Sequence, residues 1–297
     1  MSRSCNTALL FLSIFILAPT LSATSAAAPS RSASPSVIYG DDNRLDYYQV
    51  GDSLWRAHAD STVALISSSK VNVRGEWAEI QTSGYGSSMG LCSNEPFFEQ
   101  ETAAFCSGFL VAPDVVVTAG HCVREGTGCA ATRFVFGFRL EDAGDKPRRV
   151  STDAIYSCAH LIHSVADSDG EDFAVVRLDR AVTQVAPLPL RRQGKPGVGD
   201  ALTVIGHPSG LPLKIAPGAE VRQVKSEFLI ANLDTYGGNS GSAVFNSHTG
   251  EVEGVLVRGE MDFVYENGCR RSKRCAEQAC RGEDVTLIER VWPYLLR

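Results

Sequence analysis

From Val37 onward the apolar residues come in short runs broken by turn residues, with no long stripe at helical spacing. "FCSGFLV" begins at Phe105, stops at the turn pair Pro113 and Asp114, and resumes as "VVVT". "RFVFGFRL" starts at Arg133, "DFAVVRL" at Asp172, "ALTVIG" at Ala201 and "EFLIANL" at Glu227, while "SAVF" and "EVEGVLV" flank the turn "NSHTG". Strands this short and this regularly punctuated predict an all-β barrel or sandwich. One helix is predicted, at the end of the chain, where Ile288, Val291, Trp292 and Leu295 share a face and Pro293 limits regularity. No internal repeat or long linker interrupts the pattern.

The first residues carry a different pattern. Arg3 precedes an apolar run from Ala8 to Ala18, and small residues follow from Leu21 to Ala28, the order of charge, apolar core and cleavage site found in a secretory signal. Residues 1–28 are therefore expected to be a signal peptide and 29–36 a propeptide, in a stretch rich in Ala, Ser and Pro, with 37–297 as the folded unit. The apolar run is too short to anchor the chain in a bilayer. The mature protein is expected to be secreted or extracytoplasmic, without membrane attachment, and monomeric.

Of the nine cysteines, Cys5 leaves with the signal. The rest, Cys92, Cys106, Cys122, Cys129, Cys158, Cys269, Cys275 and Cys280, read as disulfides in an oxidising compartment. A metal site is not expected, since no CxxC pair is present and "HLIH" at His160 to His163 lacks the glutamate of a zinc-protease helix. No cofactor motif appears either. A net charge of -6 gives no sign of a nucleic-acid partner, and the basic run Arg270 to Arg274 reads as a solvated loop.

The stretch "DTYGGNSGSAVFN" from Asp234 then raises the question of chemistry. Nucleophilic catalysis by Ser240 needs a base, a group that orients the base, and donors for the developing oxyanion. His121 in "VVVTAGHC" follows a buried-looking strand and is the candidate base. Asp172 opens the apolar strand "DFAVVRL" and is the candidate orienting acid, whereas Asp167 and Asp169 sit in the turn-like "ADSDG". The backbone N–H groups of Gly238 and Ser240 are the candidate oxyanion donors, because glycine lets a loop turn its amides inward.

At these residues the chain resembles the chymotrypsin-like (trypsin-like) serine peptidases. "TAGHC", "DFAVVRL" and "GGNSGS" are similar to that family's histidine, aspartate and serine motifs, in that order. The resemblance implies two six-stranded antiparallel β-barrels with a C-terminal helix, His121 and Asp172 on the first and Ser240 on the second. It implies a polypeptide substrate in the cleft between them and an acyl-enzyme intermediate. It also implies a Cys106–Cys122 disulfide; the remaining six cysteines allow fifteen pairings. The bacterial branch that includes glutamyl endopeptidases is closer, because "VIYGDDNR" from Val37 resembles a mature start and "VIGHPSG" resembles that branch's Gly-Tyr-Pro segment. The chain departs from these relatives at two positions. Asn239 stands where animal digestive members carry an aspartate that pairs with the new N-terminus, and Leu256 stands where glutamate-specific members commonly place a histidine.

Substrate-binding residues implied by the resemblance are Asp234, Thr235, Leu256, Arg258 and Gly259. Asp234, six residues before Ser240, is expected to meet an Arg or Lys side chain, with Arg258 as the cation that would instead accept glutamate. Two other readings compete. An α/β-hydrolase would need a histidine after the serine and a helix-strand alternation, which the pattern lacks. An exported binding protein on the same fold, silent in catalysis, would keep the scaffold without an activated serine.

Overall fold

The structure is a computed structural model that describes Met1, residues 37–124 and residues 128–295. The expected signal peptide and propeptide lie outside the described residues, apart from Met1. The first barrel is built from β1 (Thr62–Ser67), β2 (Cys106–Ala112), β3 (Val115–Thr118), β4 (Thr132–Phe136), β5 (Ile155–Ala166) and β6 (Asp172–Leu178). These six strands close in the order β4-β5-β6-β3-β2-β1, every pairing antiparallel. The second barrel uses β7 (Ala201–Gly206), β8 (Lys214–Val224), β9 (Phe228–Ala231), β10 (Ala243–Asn246), β11 (Val252–Arg258) and β12 (Glu283–Leu287). They run β7-β10-β11-β12-β9-β8 and close through β7 and β8, again antiparallel, with Leu45–Asp46 added beside β8.

Alternation explains which side chains fill each barrel. Leu65, Phe109, Phe134 and Val175 are fully buried in the first core, and Leu202, Leu229, Val244 and Val285 in the second. Each such side chain contributes roughly 1.5–3 kcal/mol by leaving water. "VVVT" is buried along its whole length, so β3 reads as a continuous apolar run where a solvated strand would alternate.

The expected C-terminal helix is present, as a 3₁₀ turn, Ile288–Arg290, followed by a short α-helix, Trp292–Leu295, with Pro293 denying an amide to a continuous ladder between them. Its apolar residues still anchor it, Val291 being wholly buried. The sequence reading missed the eight-residue helix Ser53–Asp60, whose N-cap Asp52 accepts the Leu54 amide at 2.8 Å.

The eight cysteines of the described residues form four disulfides, Cys92–Cys269, Cys106–Cys122, Cys129–Cys158 and Cys275–Cys280. The first closes the longest loop, 177 residues, and so constrains the unfolded chain most. Among the described residues no helix is long and apolar enough to cross a membrane.

Candidate active site

His121 follows β3 in a short helical turn, Gly120–Arg124, held against the barrel by the Cys106–Cys122 bond. The approach is so close that a Cβ on Gly120 would sit 1.8 Å from the Val165 carbonyl, so only glycine fits. Asp172 begins β6, and its carboxylate is almost enclosed, at 6 % exposure against 19 % for His121. Asp172 Oδ1 accepts the amides of Gly120 at 2.7 Å and His121 at 3.2 Å, while Oδ2 lies 2.7 Å from His121 Nδ1. An ionised carboxylate only accepts, so the hydrogen sits on Nδ1 and the other ring nitrogen of neutral His121 is a base. Three bonds to one carboxylate fix both the ring's tautomer and its plane.

Ser240 lies in the loop between β9 and β10, and that loop is gripped from both barrels. Its carbonyl accepts the Ser107 amide of β2 at 2.8 Å and lies 3.6 Å from Cys122 Sγ, next to His121. On the other side the Gly241 amide donates to Leu256 of β11 at 2.7 Å. Gly238 takes φ +96°, a conformation that favours glycine, and a side chain there would meet the His207 carbonyl at 2.7 Å. The Ser107 hydroxyl, completely buried, donates to the Gly238 carbonyl and accepts the His207 amide, both at 2.9 Å. With that carbonyl held away and the Asn239 amide donating to Tyr236, the amides of Gly238 and Ser240 have no acceptor among the described residues. Sequence reasoning passed over Ser107, although it directly follows Cys106.

Buried Asn239, at the position of the missing aspartate, accepts the Ser242 hydroxyl at 3.2 Å. The ligand atoms of Cys106, His121 and Cys122 lie within 4.8 Å of one another, but both sulfurs belong to the disulfide, and zinc requires thiolates.

The expected substrate-binding residues are placed differently. Asp234 is buried, and its two oxygens accept the amides of Tyr39 at 2.8 Å and Asn43 at 2.9 Å. The acid thus anchors the segment that starts at Val37, itself fully buried, and does not face an open pocket. Burial raises its carboxyl to about 6 against the pull of those two amides. Leu256 points into the core of the second barrel, so it is no pocket wall. Thr235 is fully buried and donates to Glu283 at 3.3 Å, and Gly259, which directly follows β11, is also buried. The Arg258 guanidinium is bonded to Asp284 and to the carbonyls of Asp167 and Gly170.

The chain is 25% identical over 206 residues to the uncharacterized protein y4fB of Sinorhizobium fredii (strain NBRC 101917 / NGR234), covering 61% of this chain and 31% of that protein, so it spans about a third of the relative's length. A solved structure of a Glu endopeptidase in complex with MPD is similar at 19% identity and TM-score 0.46, over 80% of this chain and 94% of the other. The crystal structure of the serine endoprotease from Yersinia pestis is similar at 15% identity and TM-score 0.47, over 82% of this chain and 65% of that one. The trypsin-like peptidase domain matches residues 106–255, half of the chain, from the cysteine before Ser107 through the serine loop into β11. With that match, and with two closed barrels carrying the matched segment, the chain belongs to the trypsin-like peptidase family.

Proposed function

We propose that this protein is a secreted serine endopeptidase that hydrolyses polypeptides through His121, Asp172 and Ser240. The observation that carries this reading is the 2.7 Å contact between His121 Nδ1 and Asp172 Oδ2, beside a serine loop whose backbone is bonded to the same barrel. His121 takes the Ser240 hydroxyl proton as Oγ attacks the peptide carbonyl. The Gly238 and Ser240 amides stabilise the oxyanion. His121 then protonates the leaving amine, an acyl-enzyme forms on Ser240, and water repeats the sequence to release the acid. No cofactor takes part. Four disulfides support an oxidising, extracytoplasmic setting.

The test is turnover of a mixed library of unstructured peptides by the wild-type protein and by Ser240→Ala, read by mass spectrometry. Ser240→Ala should lose on the order of a millionfold in turnover, because the three residues act as a unit. Retention of even a tenth of the activity would remove Ser240 from the mechanism.

A further inference from the structure

We propose that Arg258 is a positioning residue for Asp172, fixing from the second barrel the acid that orients the base in the first. The inference rests on the triad reading above and concerns a residue whose sequence suggested a substrate contact. Arg258 ends β11, and its guanidinium crosses toward the turn that leads into β6. Nη1 donates to the Asp167 carbonyl at 2.8 Å and Nη2 to the Gly170 carbonyl at 2.7 Å. Nε donates to Asp284 Oδ2 at 3.2 Å, and Nη1 lies 4.0 Å from Asp172 Oδ2, the oxygen that meets His121. Asp284 is itself held by Arg281 at 2.7 Å, so the clamp has a fixed base. The neighbouring strand grips the same point, since the Thr286 hydroxyl donates to the Asp172 carbonyl at 3.1 Å.

This arrangement uses what is particular to arginine. A planar fork can hold two carbonyls and a carboxylate in fixed, separate directions from three nitrogens, whereas an ammonium must gather all its acceptors around one nitrogen. The turn 167–170 is polar and largely exposed; it is closed locally by the Asp167 amide on the Glu171 carbonyl at 2.8 Å, and the fork ties the carbonyls of Asp167 and Gly170 to the second barrel. A displacement of about 1 Å in an orienting group is enough to cost about a hundredfold in rate. The side chain is 14% exposed and its hydrogen bonds are taken by Asp284, Asp167 and Gly170, with Asp172 Oδ2 4.0 Å away, which separates this role from that of a cation waiting for substrate.

The experiment compares wild type, Arg258→Ala and Arg258→Lys in the full secreted chain, with kcat and KM on one neutral peptide substrate and one acidic one. In parallel, the low-field proton NMR signal of the His121 Nδ1 hydrogen is recorded for each protein, identified by its loss in His121→Ala. For Arg258→Ala we expect kcat to fall about a hundredfold with KM within about twofold on both peptides, and the His121 signal to shift or broaden. Arg258→Lys should share most of the loss, and added methylguanidinium should recover at least about tenfold of kcat in Arg258→Ala. A rise in KM confined to the acidic peptide, with kcat unchanged, would make Arg258 a substrate contact and overturn the proposal. So would an unmoved His121 signal in Arg258→Ala or, should that variant fail to fold, in Arg258→Lys. The NMR signal needs no turnover: if the wild type cleaves nothing, the peptidase reading fails while the Arg258 to Asp172 coupling is still decided.

Discussion

The Ser107 hydroxyl holds the Gly238 carbonyl at 2.9 Å, a bond that joins β2 of one barrel to the serine loop of the other. With the carbonyl of Gly238 turned back toward Ser107 and the Asn239 amide donating to the Tyr236 carbonyl at 2.9 Å, the amides of Gly238 and Ser240 are left as the candidate oxyanion donors. In Ser107→Ala both the half-buried Gly238 carbonyl and the buried His207 amide lose their partner, at about 1–3 kcal/mol for the buried amide. We expect a lower melting temperature and a kcat reduced tenfold or more with KM little changed. Equal kcat in the variant and the wild type would mean that the loop holds its conformation without this bond.

Two buried groups give stability opposite pH slopes over nearly one range. Asp234 is raised to about 6, chiefly by burial, and His207 is lowered to about 4, also by burial. In the unfolded chain these groups titrate near ~3.9 and ~6.5. Between those limits the folded chain holds the Asp234 proton that the unfolded chain has lost, so stability falls as pH rises from about 4 to 6. His207 works the other way: the unfolded chain holds its proton, so stability rises with pH from about 4 to 6.5. Each is worth on the order of 3 kcal/mol. In Asp234→Asn only the His207 slope remains, and urea midpoints should climb with pH more steeply than in the wild type. Parallel curves for the two proteins would contradict the assignment to Asp234.

Maturation at Val37 predicts where the chain of the active protein begins. Val37 and Ile38 are fully buried, and Ile38 pairs with Arg274 in a parallel strand. Intact-mass analysis of the secreted protein should find Val37 at the N-terminus. A fully active chain that begins at Ala26 or earlier would dispense with a propeptide.

How much of this was legible in the sequence depends on the range of the contacts. Strand alternation marked the runs that became both barrels, and Asp172 stood out because a charged residue opens an otherwise apolar strand. Helix Ser53–Asp60 had a local signal in Asp52 that the reading passed over. Asp234 lay six residues before Ser240, yet its direction is set by amides 195 and 191 residues away, which no local pattern reveals. Arg258 is similar: its partners Asp167, Gly170 and Asp172 come from the other barrel, so the sequence offered a cation near the serine strand without its aim. Leu256 was legible as apolar, but the face it took depended on the register of β11 against β12.

The central claim is that Ser240 is an activated nucleophile rather than a turn residue on an inert scaffold. A fluorophosphonate probe followed by peptide mapping measures this directly. The account predicts one adduct, on Ser240, formed rapidly by the wild type and lost in His121→Ala. No adduct on the folded wild-type protein, or an adduct on a different serine, would contradict it.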